Sequence, residues 1–112
     1  MKKLSDILVN HNSDAIEALK AINKTKSFIA LIIDENQKLI GTITDGDIRR
    51  GLLNGKKLES NVKNFMHKNF LSIKESELSN INLEKFFEEN NIPIPILDSN
   101  GRVKEILRKD QL

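Results

Sequence analysis

The chain contains no cysteine, so none of its 112 residues can contribute to a disulfide framework, a thiolate zinc site or a cysteine nucleophile. Nothing in it requires an oxidising compartment. Tryptophan and tyrosine are absent too, and five phenylalanines make up the whole aromatic content. The stacking platforms of a single-strand nucleic-acid binder are therefore missing. Charge of one sign is also lacking: 18 basic and 16 acidic residues leave a formal charge of +2, scattered along the sequence. That balance is too even for a footprint on nucleic acid. The longest apolar run, residues 28–33, is far below a membrane span, and the opening MKKLSDILVN turns polar too quickly for a secretory signal. The expectation is a soluble cytoplasmic protein with neither nucleic acid nor membrane as partner. His11 and His67 have no carboxylate or cysteine at ligand spacing, so both are expected as exposed loop histidines and no metal site is expected.

What is present centres on LIGTITDGDIRRGLLNG, residues 39–55. A run of β-branched residues (Ile40, Thr42, Ile43, Thr44) gives way to Asp45-Gly46-Asp47 and then to a helical pattern with Ile48 and Leu52 on one side. This predicts a strand feeding a helix. Thr44 or Asp45 is placed to cap that helix, Asp47 lies in its first turn, and Gly55 stands where it should stop. A helix start offers backbone N–H groups to an anion, and a carboxylate beside it can accept hydrogen bonds from a sugar diol. Arg49 and Arg50 follow closely enough to be candidate phosphate contacts, although the ordinary reading of such a basic pair is a solvated face.

Earlier in the chain, Ser13 is a candidate cap with Asp14 in the first turn, and Ala15, Leu19 and Ile22 recur at helical spacing to about Lys24. Residues 27–33 read as a strand too apolar for one wet face, hence a sheet covered on both sides. The polar turn Asp34-Glu35-Asn36-Gln37 is short enough to join it antiparallel to a strand over residues 38–44. The second half then repeats this order. With Asp98 set over Asp34, an offset of 64 residues, Leu71 falls on Ile7, Ile73 on Val9, Leu83 on Leu19, Phe86 on Ile22 and Leu97 on Ile33. This register predicts a strand over residues 71–73, helix through most of 79–89, a strand over 92–97, a turn ending in Gly101, and a returning strand over 102–107. Two tandem βαββα-like units of α/β (α+β) class are expected, packed face to face about a pseudo-twofold axis. The first spans residues 1–57. Residues 58–112 supply a linker, 58–68, and the second unit. Met66 and the pair Phe86-Phe87 are read as packing residues.

The chain resembles the tandem cystathionine beta-synthase (CBS) domain pair, or Bateman module, along essentially all of its length. The resemblance rests on Asp34, Leu39-Ile40-Gly41-Thr42-Ile43-Thr44 and Asp47-Ile48 in the first repeat, and on Ile94-Pro95-Ile96-Leu97-Asp98 with Gly101 in the second. The wording TDGDIRRGLL looks like CBS pairs that accompany sugar-phosphate nucleotidyltransferases and isomerases. The resemblance implies a non-catalytic regulatory module that binds an adenosine-containing nucleotide, of the AMP, ADP or ATP kind, and controls an attached or partner enzyme. No obligatory cofactor is implied. Asp47 matches the aspartate that takes ribose hydroxyls, Thr44 matches the hydroxyl residue near ribose and phosphate, and Ile29, Ala30 and Leu31 lie on the strand that lines an adenine pocket. Family members commonly pair, which implies a homodimer.

The second repeat departs from the pattern. Glu105, Arg108 and Gln111 stand where Gly41, Thr44 and Asp47 stand in the first, and Asp110 comes one residue early. Its nucleotide site is in doubt, although Arg108 is a further candidate phosphate contact. The sequence stops at Leu112, before a final helix of the second repeat, so an excised module or a following domain is expected. Two other readings stand beside the sensor. One is a ligand-free dimerising module. The other is a small enzyme using Asp45-Gly46-Asp47 as a D-x-D motif to hold a divalent cation against a diphosphate.

Overall fold

Asp14, not Ser13, starts the first helix. Ser13 is tied into the preceding turn, its N–H donating to Asn10 O and its carbonyl accepting from Val62 N. The Asp14 carboxylate is left to take the Glu17 N–H at 3.1 Å. The computed structural model describes residues 4–26 and 28–111, Gln111 by its backbone only. Two units divide the chain, one ending at Phe70 and the other beginning at Leu71.

In the first unit, β1 (Leu8–Asn10), α1 (Ala15–Thr25), β2 (Ile29–Ile33), β3 (Leu39–Thr44) and α2 (Asp45–Leu53) follow one another. The predicted start of β2 at Ser27 lies outside the described residues. β2 is the middle strand, parallel to β1 and antiparallel to β3. Ile29, Ala30, Leu31 and Ile32 are all buried, as the unbroken apolar run requires of a sheet covered on both faces. Ala15, Ala18 and Ile22 of α1 pack with Ala30, Ile32, Ile43 and Ile48 in one core. α2 buries Ile48 and Gly51. Leu52, expected on that side, is instead 44% exposed, because the Phe65 ring occupies the notch at Gly51: a Cβ there would lie 2.3 Å from Phe65 Cδ1. The helix ends as expected at Gly55, whose φ of 86° suits glycine, with the Lys56 N–H folding back to Gly51 O at 3.0 Å.

The linker expected over residues 58–68 belongs to the first unit instead. Val62 and Phe65 are buried in its core, and Met66 packs against it. His67 and Thr42 exchange backbone hydrogen bonds of 2.8 and 3.1 Å along β3. The unit therefore runs past residue 57, because Phe65 and Met66 fill spaces left at Gly51 and Gly41.

The second unit contains β4 (Ile73–Lys74), α3 (Leu83–Glu89), β5 (Ile94–Leu97) and β6 (Val103–Leu107), with β5 again in the middle. Its core is Ile73, Phe87, Ile94 and Ile96, with Phe86 against the edge of Phe87 at a centroid distance of 5.8 Å. The predicted offset of 64 holds at the level of pairing: Ile33 is opposite Leu39 and Leu97 opposite Val103, and the register slips between Ile32 and Ile33 as it does between Ile96 and Leu97. The turns match as well. Asp34 Oδ1 accepts from the N–H groups of Asn36 and Lys38 at 2.8 and 3.0 Å, and Asp98 Oδ1 accepts from Asn100 and Arg102 at the same two distances.

The predicted elements of this unit come out shorter: β5 begins at Ile94 rather than at residue 92, and β6 at Val103 rather than at residue 102. Residues 75–80 wind as a 3-10 turn and Ile81 is extended, so the helix begins only after Asn82, whose side chain caps Lys85 N at 3.2 Å. The strand over residues 71–73 is cut to Ile73–Lys74 by Pro95. In the first unit the Leu31 N–H donates to Ile7 O at 3.0 Å. Pro95 stands at the corresponding place and has no N–H to offer Leu71. Ile7 is accordingly buried while Leu71 is 42% exposed.

Candidate functional site

The junction between β3 and α2 is organised by two side chains three residues apart. Thr44 is extended at φ −114° and ψ 170°, the N-cap conformation. Its Oγ1 accepts the Asp47 N–H at 3.3 Å, while Asp47 Oδ2 accepts the Thr44 N–H at 2.9 Å and the Thr44 hydroxyl at 3.1 Å. This is a reciprocal capping box, and it resolves the choice of cap in favour of Thr44. The second carboxylate oxygen, Oδ1, accepts from Arg50 Nη2 at 2.7 Å. Asp47's side chain is 14% exposed and Arg50's is 68% exposed. An ion pair of this spacing with one partner in water is worth about 0.5 kcal/mol.

Glycine at position 46 makes room for that arrangement: a Cβ there would lie 3.2 Å from Arg50 Nη1, so the guanidinium rests over the first turn of α2. Asp45 and Arg49 lie exposed on the same helix. Across the sheet, Ile29 is directly opposite Thr44, Ala30 opposite Ile43 and Leu31 opposite Thr42. Alternation along β2 divides the three residues expected to line a pocket. Ala30 packs into the core beneath the helices, whereas Ile29 and Leu31 share the face of Thr42 and Thr44. All three are buried.

Arg108 lies in the second unit, half-buried directly after β6. The side chain of Gln111, the counterpart of Asp47, lies outside the described residues. As for the D-x-D reading, both oxygens of Asp47 are engaged by Thr44 and Arg50. Among the described residues no three His, Cys, Asp or Glu side chains cluster to hold a metal ion. His11 departs from expectation. It is only 16% exposed and its Nε2 meets Glu35 Oε2 at 2.7 Å, because its backbone is held by Ile33 O and by the Asn61 side chain beside the Asp34 turn. Arg50, expected near a phosphate, is instead paired with Asp47. The i, i+3 spacing of the two residues was the available signal.

Residues 3–54 match the family model of the CBS domain. The solved structures extend that likeness to the whole chain. The CBS domain pair of protein MJ0100, in complex with 5′-methylthioadenosine and S-adenosylmethionine, is 28% identical with a TM-score of 0.73, over 93% of this chain and 85% of that one. Listeria monocytogenes CbpB in complex with c-di-AMP is 19% identical with a TM-score of 0.79, covering 99% and 86%. The CBS domain protein PAE2072 of Pyrobaculum aerophilum, complexed with AMP, is 12% identical with a TM-score of 0.73, covering 95% and 82%. The fold, with its two small three-stranded sheets, is that of a CBS pair. Two uncharacterised proteins of Helicobacter pylori are 30% and 28% identical over 98% of this chain. The chain spans 36% of the length of those relatives. Among the described residues no helix is long and apolar enough to cross a membrane.

Proposed function

We propose that the CBS domain of residues 3–54 binds an adenosine-containing nucleotide at the start of α2, with Asp47 taking the ribose hydroxyls and Thr44 and the first-turn N–H groups near the phosphate. The observation that carries this reading is the Thr44–Asp47 pair. It fixes a carboxylate and a hydroxyl together at a helix start, opposite Ile29 of β2. CBS pairs of the same fold bind AMP, c-di-AMP, methylthioadenosine and S-adenosylmethionine, so the adenosine portion is the common element. The module itself is regulatory and performs no chemistry. Ligand binding alters an attached or partner enzyme, a sugar-phosphate nucleotidyltransferase being the candidate, by favouring one of two arrangements with different affinity. The working form is a cytoplasmic homodimer, and solution mass tests the pairing.

Calorimetry with AMP tests the site. Micromolar to millimolar binding is expected, and Asp47→Ala should weaken it by about 1 to 3 kcal/mol through loss of a charged acceptor. Affinity unchanged in a folded Asp47→Ala protein would mean that the ribose lies elsewhere. A second reading, a ligand-free structural module, is favoured by one observation: both carboxylate oxygens of Asp47 already serve the fold, Oδ2 capping α2 through Thr44 and Oδ1 pairing with Arg50. It predicts no rise in melting temperature with AMP, ADP, ATP or S-adenosylmethionine at millimolar concentration, whereas a bound nucleotide at one hundred times its Kd stabilises by about 2.7 kcal/mol.

A further inference from the structure

The proposed nucleotide site, on which this inference rests, contains an internal competitor for its own carboxylate. Asp47 Oδ2 already accepts two bonds from Thr44, and Oδ1 accepts from Arg50 at 2.7 Å. A ribose diol that reaches Asp47 therefore competes with Arg50 for Oδ1. We propose that Arg50 makes the site selective for phosphorylated over unphosphorylated nucleosides, because only a ligand that brings its own anion gives the displaced guanidinium a new partner.

Geometry and exposure favour such an exchange. The guanidinium is largely in solvent while Asp47 is not, so Arg50 is the partner free to swing. It lies over Gly46, beside the first turn of α2, where the helix dipole and N–H groups also favour negative charge. A phosphate arriving there meets an arginine one side-chain rotation away, able to grip two of its oxygens at once. A neutral nucleoside meets the same arginine as a rival. Displacing it leaves an unpaired cation at the positive end of a helix. The ligand class is thus a ribonucleoside with an anionic group on the 5′ side, in preference to adenosine, methylthioadenosine or a cationic sulfonium nucleoside.

The test is calorimetric titration of the full chain and of Arg50→Gln with AMP and with adenosine. The exposed position of Arg50 leaves the fold intact, which circular dichroism checks. The unsubstituted chain should prefer AMP by about tenfold or more. In Arg50→Gln, AMP should weaken while adenosine tightens, so that the preference collapses from both sides. A preference that survives Arg50→Gln unchanged, or adenosine binding as tightly as AMP to the unsubstituted chain, overturns the role of Arg50 and leaves the nucleoside site standing. Failure of both ligands to bind the unsubstituted chain overturns the site itself and Arg50's role with it.

Discussion

A single carboxylate, Asp47, braces the start of α2 through Oδ2 and presents Oδ1 to a cation. The cap and the proposed ribose contact therefore share one carboxylate, and Thr44 reports on the cap. Thr44→Ala removes the cap and should cost about 1 kcal/mol in chemical denaturation, while Thr44→Ser, which keeps the oxygen, should cost far less. Equal losses for the two would mean that the methyl group matters more than the hydroxyl. The Asp98 turn makes a prediction in pH. The Arg102 N–H holds the Asp98 carboxyl below its ordinary value of 3.8 against the opposing cost of desolvation, with the Asn100 N–H and the charges of Arg102 and Lys104 adding to the lowering. A group whose pKa is lowered by folding stabilises the native state when ionised. That contribution is complete above the unfolded value and fades as pH falls through the folded one. The amide proton shifts of Asn100 and Arg102, followed by NMR, should hold constant at neutral pH and move together as the pH falls through the Asp98 pKa. Asp98→Asn should remove the acid-induced change.

At the level of elements, the helix ends and the glycine notches decide where the chain goes. α2 meets the segment after it through Gly51, where even a methyl group would collide with the Phe65 ring. Gly51→Ala is expected to destabilise by about 1 to 3 kcal/mol despite the higher helix propensity of alanine, since overpacking outweighs propensity here. Phe65→Ala should cost about 3 to 5 kcal/mol, and the double variant less than the two single losses added, because each change makes room for the other. Strict additivity would show that Phe65 moves aside without cost. The antiparallel return at Asp34 and a cap at Thr44 or Asp45 were legible in the sequence, since each depends on neighbours within a few residues, whereas the parallel pairing of β1 with β2 joins residues more than twenty positions apart and was not. The assignment of Phe65 and Met66 to the first unit was not legible either, because the notches they fill are made by glycines more than ten positions away, and Val62 is tied to Ser13, more remote still in sequence. Likewise the shift of the cap from Ser13 to Asp14 goes with a tertiary contact, the Val62 N–H on the Ser13 carbonyl.

Over the whole molecule, the duplication is exact in register and unequal in substance. The first unit buries a core drawn from both its helices and the segment at residues 62–65, whereas the second rests on Ile73, Phe87, Ile94 and Ile96. Hydrogen exchange should accordingly find the amides of β2 the slowest in the chain and those of β5 and β6 faster, the second unit opening at lower free energy. Identical protection in both sheets would mean that the chain unfolds only as one body. The candidate site follows the same inequality, since the repeat that keeps the threonine and aspartate is also the better packed. Matching Gln111 and Arg108 to their counterparts by offset exposed this in the sequence, while the engagement of both Asp47 oxygens needed coordinates.

Pro95 carries the asymmetry one step further. By withholding an amide where Leu31 gives one, it leaves β4 only two residues long. A foreign strand approaching the bared stretch beside Ile94 would find no complete ladder to extend. The imino acid that weakens the second sheet thus doubles as protection against aggregation: Pro95→Leu should lengthen β4 toward Leu71, yet leave a better template for self-association if that edge ever frays.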